Sequence, residues 1–166
     1  MFERYTEKAR RVIFFARYEA GQYSSACIDT EHLLLGMLRE DTAIAKRLSR
    51  PPFTLKSIRK RIEELTPPRG KVPTSVDMPL SAGCKRVLTY AAEEAERRGD
   101  KHIGTNHLLL GLLNEKDGIG AKVLSEAMVD ASAFRDEIGR MSDASWKVAY
   151  PQKSRLENHV EIHGEL

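Results

Sequence analysis

Apolar residues recur along this chain at helical spacing. Ala9, Val12, Ile13 and Ala16 fall at i, i+3, i+4 and i+7, with Ala20 one turn further, so they share one stripe of a helix. Thr6 stands just ahead of that stripe, where an N-cap hydroxyl accepts a backbone N–H. The stripe ends in the polar loop GQYSSA, residues 21–26. Thr30 is then expected to cap a short second helix that holds Leu33, Leu34, Leu35, Gly36 and Leu38. That block is apolar on nearly every side, which places it at the centre of a core. A third helix carries Ile44, Ala45 and Leu48. A fourth runs from Leu55 to about Leu65, with Leu55, Ile58, Ile62 and Leu65 on one face.

The pattern is then written a second time. Shifted by 75 positions, Thr6 falls on Ser81, Ala9 on Cys84, and Val12 and Ile13 on Val87 and Leu88. Ala16, Glu19 and Ala20 fall on Ala91, Glu94 and Ala95. TEHLLLGML (30–38) meets TNHLLLGLL (105–113), and after one inserted residue AKRLS (45–49) meets AKVLS (121–125). This is an internal duplication. Ser81 and Thr105 inherit the capping roles, and the counterpart of the fourth helix spans Phe134 to Met141. Nothing through residue 141 calls for β structure.

Between the copies lies TPPRGKVPTSVDMP, Thr66 to Pro79, rich in proline and without helical period, which reads as a linker. A unit of roughly 65 residues has little core of its own. The expected architecture is therefore all-α. Two four-helix repeats, 1–66 and 81–141, are joined by a linker at 67–80 and pack about a pseudo-twofold axis as one domain, 1–141. Residues 142–166 form a tail outside the repeat. Its segments WKVAY and HVEIH alternate in a strand-like way. A loosely docked tail is the plainer reading, and a small hairpin or partner-binding strand is the other.

Composition narrows the function. With 41% apolar and 31% charged residues, the chain is globular, and no stretch approaches the roughly 20 apolar residues that cross a bilayer. The start, MFERYTEKARR, lacks the apolar centre of a signal peptide. The two cysteines have neither metal-site nor disulfide-framework spacing, which suggests a reduced cytoplasmic setting and no metal or cofactor. A net charge of +3 does not by itself argue for nucleic acid.

Four groups of residues invite a chemical reading. His32 and His107 open the buried helices, where an imidazole bonded to nearby backbone is the simplest role. Cys84 lies on an apolar stripe and Cys27 in a loop, with no third group to orient a nucleophile, so no catalytic residue is assigned. Arg59-Lys60-Arg61 is the one basic run that could touch nucleic acid, but it also fits the solvated face of the helix that buries Ile58 and Ile62. The fourth group is Thr6 with Glu31, and Ser81 with Asn106. A helix start at Thr6 presents the N–H groups of Glu7 and Lys8 to an anion, and a carboxylate at Glu31 could take a guanidinium in a fork. The alternative is that these residues only cap helices and offset their dipoles.

The motif Thr-x-x-Ala-x-x-Val-Ile-x-x-Ala-x-x-Glu-Ala, a loop, Thr-Glu-His-Leu-Leu-Leu-Gly-x-Leu and Ala-Lys-x-Leu resembles the N-terminal domain of the Clp/Hsp100 unfoldases. It covers residues 3 to about 141 in both copies. It looks closest to the variant found in Gram-positive bacteria, actinobacteria and chloroplasts. The resemblance implies a monomeric, non-enzymatic module that binds substrate proteins or adaptors for a Clp-type ATPase, with no membrane partner. In some members two pockets, one per repeat, hold phosphoarginine; carried over here these are Thr6 with Glu31 and Ser81 with Asn106. The chain departs from the family at three places. Asp29 stands where a glycine usually precedes Thr-Glu-His, as Gly104 does in the second copy; Asn106 replaces the glutamate; and the linker is richer in proline. No G-x-x-x-x-G-K-[ST] phosphate loop occurs, so the segment lacks the usual Clp route to ATP hydrolysis.

Overall fold

Several helices begin where the sequence offers a side chain to the first turn. Thr6 Oγ1 accepts the Ala9 N–H at 3.1 Å and Ser81 Oγ accepts the Cys84 N–H at 3.0 Å, so both expected caps form. Asp41 and Thr54 cap the next two starts through the N–H groups of Ile44 and Ser57, each at 3.1 Å. The computed structural model describes residues 2–49, 53–66, 73 and 77–140. The remaining linker positions and the tail at 142–166 lie outside the described residues, and so do the expectations attached to them.

Among the described residues there are eight helices and no strand: α1 (Glu7–Gln22), α2 (Thr30–Glu40), α3 (Thr42–Leu48), α4 (Leu55–Leu65), α5 (Ala82–Arg98), α6 (Thr105–Asn114), α7 (Ile119–Glu126) and α8 (Ala131–Arg140). Helices α1 to α7 belong to a unit that spans Met1–Ala131, and a second unit, Ser132–Leu166, carries nearly all of α8.

Two helix starts differ from expectation. The N-caps of α2 and α6 are Asp29 and Gly104, not Thr30 and Thr105. The physical reason is that the histidines do part of the capping: His32 Nδ1 accepts the Asp29 N–H and His107 Nδ1 accepts the Gly104 N–H, both at 2.9 Å. The threonine hydroxyls are thereby released to point sideways, across the repeat boundary. Thr30 Oγ1 accepts the Gly120 N–H at 3.1 Å, and Thr105 Oγ1 donates to Asp41 Oδ2.

The leucine blocks form the core, as the sequence predicts. Leu33–Leu35 and Leu108–Leu110 are at most 1% exposed. Within each repeat the first two helices press together so closely that a glycine is required. A Cβ at Gly36 would lie 2.5 Å from the Val12 carbonyl oxygen, and one at Gly111 would lie 2.5 Å from that of Val87. Between repeats, α2 packs on α5, α6 and α7, α4 packs on α7, and α1 touches α6.

The two repeats are also tied through backbone. Tyr5 bridges Ile103 and Leu80 bridges Ile28, which are equivalent positions exchanged between copies. The Thr6 N–H donates to Ile103 O at 3.0 Å and the Ile103 N–H to Arg4 O at 2.9 Å. Their counterparts are Ser81 N–H to Ile28 O at 2.9 Å and Ile28 N–H to Pro79 O at 2.8 Å. Thus the residue that caps α1 is bonded to the segment that leads into α6, and the residue that caps α5 to the segment that leads into α2.

Helix contact at the two glycines predicts a specific cost. Gly36→Ala and Gly111→Ala should each destabilise the fold by about 1–3 kcal/mol or more, because the obstacle is backbone and cannot rotate away. Gly36→Ala should cost more, since Ala16 N stands 2.8 Å from its added Cβ while Ala91 N stands 3.2 Å from that of Gly111. Urea unfolding of the two variants checks both the size and the order.

Candidate functional site

The cross-bonding decides which of the four candidate residues meet. Ser81 Oγ donates to Asp29 Oδ1 at 2.9 Å, and the same oxygen accepts the Thr30 N–H at 2.8 Å. A Cβ on Gly83 would lie 3.6 Å from Thr30 Cγ2, so the first turn of α5 abuts the first turn of α2. Glu31 therefore stands at the start of α5 with Ser81. Thr6, bonded to Ile103, stands at the start of α1 beside the turn that leads to Asn106. The geometry thus sets Ser81 beside the first turn of α2 and Thr6 beside the segment that leads to α6, across repeats and not within one as the sequence pairing expected, because the segments ahead of the long helices bond to the other repeat. Three of the four are buried, with 5%, 4% and 7% of the surface of Thr6, Glu31 and Asn106 exposed, and Ser81 is half-buried.

Glu31 is the anomaly of the site. Its Oε1 is buried and has no hydrogen-bond partner among the described residues. Burial pushes its carboxyl up to about 7; its own backbone N–H pulls the other way, and the neighbouring Asp29 carboxylate adds to the rise. At the start of a helix the first N–H groups have no intrahelical acceptor, and for α5 these belong to Ala82 and Gly83. The first turn of α5 holds no acidic residue, whereas α1 carries Glu7, bonded to Arg11 at 3.1 Å. A corner that combines N–H donors with a buried carboxylate can hold a group with a cationic fork.

The other candidates have structural employment. The imidazoles accept hydrogen bonds through Nδ1, and burial draws His32 down to about 4 and lowers His107, whose Nε2 lies 2.8 Å from Asp100. Burial raises the thiol of Cys27, and that of Cys84 to about 12, which keeps both protonated and weakly nucleophilic. In the basic run, Arg59 makes two bonds to the buried Glu19, at 3.1 and 3.0 Å, and Arg61 makes two to Glu126, at 2.8 and 3.1 Å. Two of its three charges are therefore engaged within the chain.

One residue of the corner escaped the sequence reading of roles. Asp29 is at once the α2 cap and the acceptor for Ser81. The signal was visible as the mismatch between Asp29 and Gly104, but a hydrogen bond between repeats cannot be read from spacing.

The buried carboxylate has a measurable consequence. Glu31 holds its proton to about pH 7 when folded, against an ordinary value of 4.5. Between those values the folded state binds more protons, so folding stability falls as pH rises from about 4.5 to about 7. Glu31→Gln should remove that loss, worth roughly 1–3 kcal/mol at pH 7.5 relative to pH 5. The histidines act with the opposite sign, losing stability as pH falls, and the difference between wild type and variant cancels them. Urea unfolding of the pair at both pH values is the test.

Comparison with known proteins agrees with this architecture. The family described as the Clp repeat (R) N-terminal domain matches residues 4–127 and, a second time, 89–160. The chain is 41% identical over 142 residues to the ATP-dependent Clp protease ATP-binding subunit ClpA homolog of Porphyra purpurea, covering 85% of this chain and 17% of that protein. It is 42% identical over 142 residues to the chloroplastic chaperone protein ClpC1 of Arabidopsis thaliana, covering 85% of this chain and 15% of the relative. The chain thus spans about a sixth of these relatives. Among solved structures, the N-terminal domain of ClpD from Arabidopsis thaliana matches with TM-score 0.63 and 30% identity, over 81% of this chain and 94% of that one. The Hsp104 N-terminal domain from Candida albicans, at 21% identity and TM-score 0.63, shares the fold over 81% of this chain and 88% of its own. With its duplicated helical core and the family match over most of its length, this chain belongs to the Clp repeat N-terminal domain family.

Proposed function

We propose that the chain is a non-enzymatic recognition module for a Clp-type ATPase, binding substrate proteins or adaptors through guanidinium-bearing, phosphoarginine-like tags. The observation that supports this most directly is the buried Glu31 carboxylate, with one oxygen lacking a partner, beside the start of α5. Leaving such a group unpaired is costly, and a cation brought to it would complete it. A guanidinium supplies two parallel N–H donors to a carboxylate. The α1 corner carries an amide, Asn106, at the matching position, and an amide offers one acceptor and no charge. Recognition therefore centres on the Glu31 corner. Relatives in the family include chloroplastic proteins, and a cytoplasmic setting is our reading of the cysteine usage alone.

Titrating the isotopically labelled chain with phosphoarginine while following amide shifts tests the proposal. Shifts should concentrate in the first turns of α2 and α5, and Glu31→Gln should weaken binding at least tenfold, in line with the ~1.5–3 kcal/mol of a charge-assisted bond. Equal response at both helix starts, or indifference to Glu31→Gln, would reduce Glu31 to a helix-end acid.

A further inference from the structure

Within the reading just proposed, and resting on it, the charges around the α5 start point to a narrower ligand. Three carboxylates face that corner. Asp29 Oδ1 takes the Ser81 hydroxyl at 2.9 Å, Glu31 is buried within electrostatic reach of Asp29 and of Cys84 in α5, and Glu115 Oε2 would lie 3.3 Å from a Cβ on Gly83. Of the two cations on the first turns of α5, Lys85 is exposed and Arg86 is spent on Glu115 in a close fork, with contacts of 2.6 to 3.1 Å. Gly83 contributes no side chain at the position that Lys8 holds in α1. The start of α1 has the opposite balance: Lys8 and Arg11 stand with Glu7 and Glu40, and the positions of Asp29 and Glu31 are taken by Gly104 and Asn106.

A phosphoryl group at the α5 start would have to use the N–H groups of Ala82 and Gly83 and the Ser81 hydroxyl. The hydroxyl proton is already given to Asp29, and the Asp29 carboxylate repels the incoming anion at close range. The same carboxylate attracts a guanidinium. Glycine at this position, as in the second copy, would leave the hydroxyl free to donate and remove the charge.

We propose that Asp29 is a specificity-determining residue that turns the Ser81–Glu31 corner into a site for unmodified arginine side chains, with no preference for the phosphorylated form. The ligand is a guanidinium on a substrate or adaptor segment, held by Glu31 with Asp29 as the second negative charge. Phosphorylation of the arginine puts negative charge where Asp29 already sits.

The test uses the full chain and a matched pair of probes, Nα-acetyl-arginine amide and its Nω-phosphoryl derivative, each titrated by amide shifts. The unmodified probe should bind the α5 corner at least as tightly as the phosphoryl probe. Asp29→Asn keeps the acceptor for Ser81 and Thr30 but removes the charge, and Asp29→Gly removes both. Gly104 in the equivalent cap, with backbone angles within a few degrees of those of Asp29, shows that glycine is tolerated there. The affinity ratio should move toward the phosphoryl probe by tenfold or more in Asp29→Gly, and by a smaller factor in Asp29→Asn. A tenfold preference for the phosphoryl probe in the unaltered chain, or a ratio unmoved by both variants, would overturn the inference while leaving the recognition function standing. Failure of both probes to perturb the corner would overturn the inference and the proposed function together.

Discussion

The structure depends on a backbone exchange between the repeats. The residue that caps each long helix gives its N–H to the segment ahead of the other repeat's leucine helix: Thr6 to Ile103 and Ser81 to Ile28. A backbone bond is indifferent to side chain, which is why the exchange survives in both copies although Thr6 became Ser81 and Asp29 became Gly104. It fixes the start of α1 against the α6 turn and the start of α5 against the α2 turn. Any site at these starts is consequently built half from one repeat and half from the other. Thr30 and Thr105 reinforce the same boundary by turning their hydroxyls across it, which is possible because His32 and His107 satisfy the cap N–H groups.

On that shared frame the two copies have diverged most in charge at the surface and at the corners, while the core keeps its apolar character. Every leucine of the central block has an apolar counterpart, and Ser24 and Gly99, which leave α1 and α5, occupy the same left-handed turn with φ of 55° and 72°. The buried acids Glu19 and Glu94 are both kept, but their partners differ. Glu19 is held by Arg59 and approached by Arg39, whose guanidinium lies over the rings of Phe15 and Tyr18. Glu94 is bonded to Arg97 and Asn114. The corners differ most, since two carboxylates in one become a glycine and an amide in the other. Duplication supplied two equivalent places, and substitution has made them electrostatically unlike.

The architecture was legible because it rests on periodicity. Ala9, Val12, Ile13 and Ala16 mark a helix face without reference to anything distant, and the 75-residue shift exposes the symmetry. The helix starts at Thr6 and Ser81 were equally plain. The caps of α2 and α6 lie one residue before the threonines: a threonine ahead of an apolar run looks like a cap, but the cap N–H is satisfied by a histidine three residues beyond it. The site was half legible. Residue types identified Thr6, Glu31, Ser81 and Asn106 as candidates, but sequence neighbourhood suggested pairing within a repeat. Only the tertiary exchange brings Glu31 to Ser81 and gives Asp29 a partner 52 residues away.

The central claim is that neither repeat is a domain without the other, since each lends the other backbone bonds and one wall of its corner. A chain that ends at Arg69, and a separate chain that begins at Asp77, isolate the two halves. Urea unfolding followed by circular dichroism should show no cooperative transition for either half alone, and mixing them should restore one. A sharp, cooperative transition in either isolated half, at a concentration where it remains monomeric, would contradict the account.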